Sequence, residues 1–531
     1  MEQREKGRMM GLDKTIGAAG GVLMPRLTAR RAVLAAGTAI ICASLAGCAA
    51  IPTPLSEPMR LGRVANDGKL MFADQEPIRG PVDLYEAIAR GLKYNLDKRL
   101  KQLELGLADA RLKQDAAGML PKVVADAGYN ARDSFRGSSS RSLITGAQSL
   151  EVSTSEDKEV RTADLSAVWN LLDFGLTYLH SRERADEVLV AEERRLKVVQ
   201  NMIQDVRDAY WRAASAERLL PRVNELTTNI EAAIDHSQSV RRSGAAEPAE
   251  QLKVERELLS NLRDLTEVRR KLLLAKAELA ALINVPPGTD FKVAVPDMEH
   301  LRAPHLNATA TQLQRAALLN RPELREEDYK KRISLTEVDA AYVRLLPGIE
   351  LKAGRNFDSN SFLSNTLWTS AAGFVTKNLV ELATAERSIG TAEAEVKVAD
   401  GRRIALSMAV IAQVQIALQR YALAQDNFKV AGRLLSVDTE LSSVAASGTQ
   451  ASAGSEIEAL TALSRRTVSE LQYLVAYSDL QNAYGRILNS VGANRLPIEI
   501  ERQGVATLRT QVKNLIDDWK LDIPSTNLAA R

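Results

Sequence analysis

Between Thr162 and Arg242 a strand pattern runs straight into a helix pattern too long for an ordinary globular domain. From Thr162 to Leu172 the odd positions are apolar (Ala163, Leu165, Ala167, Trp169, Leu171). The even positions start polar (Thr162, Asp164, Ser166, Asn170), with Val168 and Leu172 as exceptions. A period of two puts the apolar row on one face of a strand. After Asp173-Phe174-Gly175 the period changes. Leu196, Val199, Ile203, Val206, Tyr210 and Ala213 recur at steps of three and four, the seam of a coiled-coil-like helix. Read from Gly175 to Arg242, that helix spans roughly 100 Å at 1.5 Å per residue, with a kink expected at Pro221.

The same plan occurs twice. The first repeat, 83–284, opens with a helical pattern from Asp83 to Ala117, broken near Asn95, that stops before Leu120-Pro121. A hairpin follows over 122–174. In its first strand Val123, Ala125, Ala127, Tyr129 and Ala131 alternate with Asp126, Gly128, Asn130 and Arg132, and 136–159 form a long loop. The long helix 175–242 and a second helix 249–284 complete the repeat, with the turn at Arg242-Ser243-Gly244. An irregular linker, 285–310, leads to the second repeat, 311–492. There a helix ends at Leu346-Pro347, a hairpin covers 348–375, and a long helix covers 376–447 with Ile411, Val414, Leu418 and Tyr421 on one seam. A Gly- and Ser-rich turn and a helix over 456–490 close that repeat at Gly492. Residues 493–531 are an extension with a weakly amphipathic helix and no second copy. Matched order, offset by some 210–226 residues, is the mark of internal duplication. In each half the two shorter helices together match the length of the long one, so stacked end to end they pair along it.

The N-terminal segment carries an address. Arg26, Arg30 and Arg31 precede the apolar run Ala32–Leu45, which is too short to span a membrane well and reads as a signal-peptide core. Arg30-Arg31 matches a twin-arginine signal only weakly. The run ends in Leu45-Ala46-Gly47-Cys48, which resembles the bacterial lipobox. That resemblance implies a signal peptide over 1–47 and a covalent lipid on Cys48, the only non-protein group expected. The unusual length before Met24 suggests that translation starts there. Residues 48–82 carry Pro52, Pro54, Pro58, Pro77 and Pro81 and read as an extended, lipid-anchored tether.

Charge and chemistry exclude several classes. With 70 Lys and Arg against 67 Asp and Glu the net charge is only +3, so no nucleic-acid footprint is expected. Both cysteines lie in the leader, and His180, His236, His300 and His305 are scattered and read as surface residues. No metal site and no disulfide framework are expected. Leu105-Gly106-Leu107 and Gly20-Gly21 lack the strand–helix context of a nucleotide loop, and no nucleophile–base pair stands out. The chain does not read as an enzyme.

A hairpin with one apolar and one polar face suits a half-buried sheet or a barrel wall between lipid and water. In lipid, four strands cannot close a barrel, and open edges are not tolerated there. A membrane reading therefore demands oligomerisation, and three chains supply twelve strands. Helices near 100 Å far exceed a ~30 Å hydrocarbon core and must project into water. The fold class is mainly α with a transmembrane β part: four barrel strands plus long coiled-coil helices per chain.

The run Trp169-Asn170-Leu171-Leu172-Asp173-Phe174-Gly175 resembles the strand-to-helix junction of the TolC-like outer-membrane efflux proteins. With the lipobox, the chain is similar to the lipoprotein branch of that family. The resemblance singles out Trp169, Asp173, Phe174 and Gly175 as the junction. It implies a homotrimer in the outer membrane of a Gram-negative bacterium, a 12-stranded barrel continuous with an α-helical tunnel across the periplasm. The expected partners are outer-membrane lipid, a periplasmic adaptor (membrane fusion) protein and an inner-membrane transporter of RND or ABC type. Leu165 then faces lipid and Asp164 the lumen.

In this family the tunnel closes at its periplasmic tips, here 243–250 and 443–458 by position. Glu247, Glu250, Glu456 and Glu458 lie there, either as a threefold carboxylate ring that favours cations or as solvated acids at helix starts. Three departures stand out. The second junction, Lys377-Asn378-Leu379-Val380-Glu381, lacks the Gly and aromatic residues of the first; the tip 443–455 looks long; and the C-terminal extension is unusual. The leading expectation is a passive exit duct for drug-type efflux. The alternatives are the same duct in type I protein secretion with an ABC transporter, and a non-channel adaptor or coiled-coil lipoprotein.

Overall fold

The computed structural model describes residues 53–149, 151–243, 247–295, 297, 301–447, 453–493 and 502–517. Cys48 and His300 lie outside the described residues, as do 244–246 and 448–452 at the hairpin tips. Two compact units divide the chain, Met1–Leu70 and Met71–Arg531.

Part of the expected extended tether is instead a helix, α1 (Glu57–Met71), with no buried residue. Glu57 in its first turn and Lys69 in its last complement the helix dipole, and Pro58 sits where a missing N–H costs nothing. The proline count misled because prolines clustered around this segment do not interrupt it.

In the second unit the first repeat opens with α2 (Leu84–Tyr94) and α3 (Leu96–Ala117). Asn95 separates them in extended backbone. Its side chain accepts the N–H of Lys98 at 3.1 Å and donates to the Leu282 carbonyl at 3.2 Å. Strand β1 (Lys122–Ala131) follows, then a loop that carries a small ribbon, β2 (Gly137–Ser138) with β3 (Ser153–Thr154), and then β4 (Glu159–Asn170). The long helix α4 (Leu171–Ser243) begins at once, and α5 (Pro248–Leu282) returns along it. Leu171 and Leu172 are therefore helical, not the strand positions that their alternation suggested. At 73 residues α4 spans about 110 Å and continues through Pro221.

The second repeat contains α6 (Ala310–Asn320), α7 (Pro322–Val343), β5 (Gly348–Asp358), β6 (Leu367–Thr376), α8 (Leu379–Ala383), α9 (Ala385–Ser447) and α10 (Ala453–Val491). The helix expected to start near 311 is broken at Arg321, because Pro322 drives the residue before it into extended backbone. This break mirrors the one at Asn95. The helix expected from 376 is likewise split, at Thr384. No helix among the described residues is long and apolar enough to cross a membrane.

The long helices pack as the matched lengths anticipated. Helix α4 packs against α2, α3 and α5, and α9 against α6, α7 and α10. One apolar core joins Leu219, Leu226 and Ile230 to Leu258 and Leu265; another joins Val410 and Val414 to Leu480 and Ile487. The extension is not an appendage. Its helix α11 (Val505–Asp517) buries Val505, Leu508 and Val512 in the core that holds Ile88, Leu92 and Val206. Arg509 pairs with Asp83, and the N–H of Val505 donates to Glu76 at 3.1 Å. Lys93 bonds the same carboxylate at 2.7 Å and holds it below the usual carboxylate range.

Candidate channel wall and its helix junctions

Strands β1, β4, β5 and β6 form one antiparallel sheet in that order, so the central pair, β4 with β5, joins the two repeats. Among the described residues each outer strand has one unpaired edge.

Pairing fixes the faces. Ala125 lies opposite Leu165, which lies opposite Arg355 and in turn Thr369. The rows on either side are Val123, Ala167, Ala353 and Ala371, and Ala127, Ala163, Phe357 and Leu367. These three rows are apolar apart from Arg355 and Thr369, and the Arg355 guanidinium donates to Thr369 Oγ1 at 3.4 Å. The other face carries Asp126, Asp164, Asn356 and Trp368 in one row, with Val124, Ser166, Gly354 and Ser370 beside it. With its amide nitrogen toward the carboxylate, Asn356 donates to Asp164 at 2.9 Å and accepts from Trp368 Nε1 at 3.3 Å.

The burial is inverted relative to a soluble sheet. Along β4 the polar side is the sheltered one, with Ser166 buried and Thr162 and Asp164 half-buried, whereas Leu165 is 55% exposed. An apolar face turned outward over a polar face turned inward is the pattern of a wall between lipid and water. The alternation in the sequence found both rows. The carboxylate pair Asp126–Asp164 needed the strand register, which the sequence does not print.

The predicted junction residues meet. Trp169 and Phe174 stack edge-on with ring centroids 5.6 Å apart, Asp173 lies in the first turn of α4, and Gly175 lies beside Val343 of α7. The residue that starts the helix was missed. Asn170 accepts the N–H groups of Leu172 and Asp173 at 3.0 and 3.3 Å. In the second repeat Asn378 accepts those of Val380 and Glu381 at 3.0 and 3.4 Å. The second junction therefore keeps the cap while lacking the aromatic pair. Its Lys377 donates to the Arg344 carbonyl at 2.7 Å, at the C-terminus of α7, where a cation is favoured. Asn170→Ala or Asn378→Ala should each cost about 1 kcal/mol, read as a lower midpoint of thermal unfolding. No change in either would show that packing alone fixes the helix starts.

At the hairpin tips, Glu247 is the N-cap position of α5 without a side-chain cap bond. Glu250 is exposed and paired with Lys253 at 2.7 Å. Glu458 is exposed and shares a cleft with Glu257 and Arg465; the Glu456 side chain and residues 448–452 lie outside the described residues. His180, His236 and His305 are exposed, and His236 lines a groove of about 760 Å³ between the two hairpins.

The outer membrane efflux protein family model matches residues 92–285. No curated protein sequence matches the chain significantly. Among solved structures, CusC is 17% identical, covers 80% of this chain and 96% of its own, and superposes with a TM-score of 0.59. The Neisseria gonorrhoeae MtrE outer membrane channel is 18% identical over 77% of this chain and 88% of its own, with a TM-score of 0.59. The Campylobacter jejuni CmeC outer membrane channel is 15% identical over 88% of this chain and 97% of its own, with a TM-score of 0.57. The chain thus resembles the outer membrane efflux proteins in sequence over most of its first repeat, and it shares the fold of these solved outer-membrane channels across both repeats.

Proposed function

We propose that the protein is the outer-membrane channel of a tripartite export system, a passive exit duct for small-molecule efflux. The observation that carries this reading is the four-stranded sheet with its apolar face outward and both edges open, continuing into helices of about 110 Å. Three chains joined edge to edge give a closed 12-stranded barrel, and the helices continue it as a tunnel through the periplasm. An adaptor protein and an inner-membrane transporter complete the path, because nothing in a passive duct supplies energy. Similarity of the first repeat to the outer membrane efflux protein family supports small molecules over secreted polypeptides as cargo.

Purified in detergent, the protein should run as a heat-resistant trimer and form discrete conducting channels in planar bilayers; a non-conducting monomer would sink the reading. Deletion of its gene should sensitise cells to small toxic compounds. Loss of one secreted polypeptide instead, with no change in sensitivity, would favour type I secretion.

Two further elements belong to this reading. Cys48 carries the lipid, so Cys48→Ala should abolish labelling by a palmitate analogue. The hairpin tips are the periplasmic entrance, with Glu247, Glu250, Glu456 and Glu458 at their ends. Lys253 neutralises Glu250, which leaves Glu456 and Glu458 as the stronger pair for a carboxylate ring. Glu456→Gln with Glu458→Gln should reduce cation preference, read as a smaller reversal potential across a salt gradient. Unchanged selectivity would make these acids ordinary solvated helix-start residues.

A further inference from the structure

Helices α4 and α7 lie antiparallel, and their seam is closed by charge pairs of opposite sign. Asp186 pairs with Arg332, Glu193 with Arg325 at 2.6 Å, Arg194 with Glu326 at 2.9 Å, and Lys197 with Glu323 at 3.6 Å. One step nearer the sheet the same register sets Glu183 against Glu337. Among the described residues this is the like-charged step of an otherwise matched seam. His180 is one turn before Glu183 on the same face, since residues three apart on a helix are neighbours. One ligand atom from each of His180, Glu183 and Glu337 lies within 4.8 Å of the others. Glu183 Oε1 is buried and has no hydrogen-bond partner.

We propose that His180, Glu183 and Glu337 bind a divalent transition-metal ion of the zinc class, which fastens α4 of the first repeat to α7 of the second. One imidazole nitrogen and two carboxylate oxygens suit zinc, with water completing the shell. Arg344, bonded to Glu337 at 2.8 Å, balances one of the two negative charges and leaves the other for the cation. Aligned ligands on two different helices make the ion a cross-link, and its binding energy becomes folding energy of the seam.

The test uses the full-length protein, purified in detergent through a tag free of histidine and stripped with chelator. Titration with zinc chloride in a calorimeter should show one ion per chain. His180→Ala, Glu183→Gln and Glu337→Gln should each weaken binding at least about tenfold, the lower end of what even an outer partner of a metal ligand contributes. Cobalt in place of zinc should give visible absorption bands that the variants lose. Glu183→Gln preserves shape and removes a like-charge contact, so the variant should fold, and zinc should raise the unfolding midpoint of the natural protein but not of this variant. Absence of saturable binding at one ion per chain, or binding unchanged in all three variants, overturns the proposal.

Discussion

Arginine at Leu165 should abolish assembled trimers, whereas arginine at the adjacent Asp164 should leave them assembled and change what they conduct. The two positions are neighbours in β4 and opposite in environment. Leu165 stands in the middle of the outward apolar face, 55% exposed in the single chain. A charge there costs on the order of 2–4 kcal/mol near the bilayer midplane. The same row already holds Arg355 directly opposite, so the substitution would set two guanidinium groups face to face across the strand pair. A threefold assembly would carry that cost three times. Asp164 faces the other way, opposite Asp126 and beside Asn356. An arginine there meets a carboxylate across the strand, and the expected result is a trimer with reduced cation preference. Unheated gel mobility and single-channel recording read both outcomes. Equal and severe loss of trimer from both would mean that the sheet lies in a soluble core.

The second large effect concerns the C-terminal extension. Leu508 is buried against the core that holds Ile88, Leu92 and Val206, so Leu508→Ala should cost about 2–5 kcal/mol. Thr510, exposed on the same helix, is the control, and its replacement by alanine should stay within about 0.5 kcal/mol. Chemical denaturation of the two variants measures the difference. Equal small effects would mean that α11 rests on the surface without contributing to the core.

The repeat plan, the strand rows and the long helices were legible because each rests on periodicity, which is a local property. Breaks were legible only where the local signal was read. Asn95 was, but Asn320-Arg321-Pro322 carried an equally plain signal that was passed over as helix interior. The two asparagine caps illustrate a different limit. Asn170 belonged to an apparent strand, and the alternation ran two residues past it into what is the first turn of a helix. Glu183 and Glu337 show what lies beyond local reading. The His-x-x-Glu spacing at His180 was available in the sequence, but its third member arrives from 154 positions away through the register of two helices. The C-terminal helix was visible as amphipathic, whereas its target, α2 at the other end of the second unit, was not.

The open edges of the sheet have a consequence for gene dosage. Strands alternate in direction across β1, β4, β5 and β6, so in the proposed trimer β6 of one chain would meet β1 of the next in the antiparallel sense, and the contact would repeat head to tail until the ring closed. In such a ring every chain would be both donor and acceptor, and no defective member would be tolerated. A copy with prolines in β6 would still offer a sound β1 edge, enter a ring and leave it open. Expressed in equal amounts with the natural chain and mixed at random, it would leave roughly one eighth of the trimers wholly intact. Such a variant would poison transport far beyond its share of the protein.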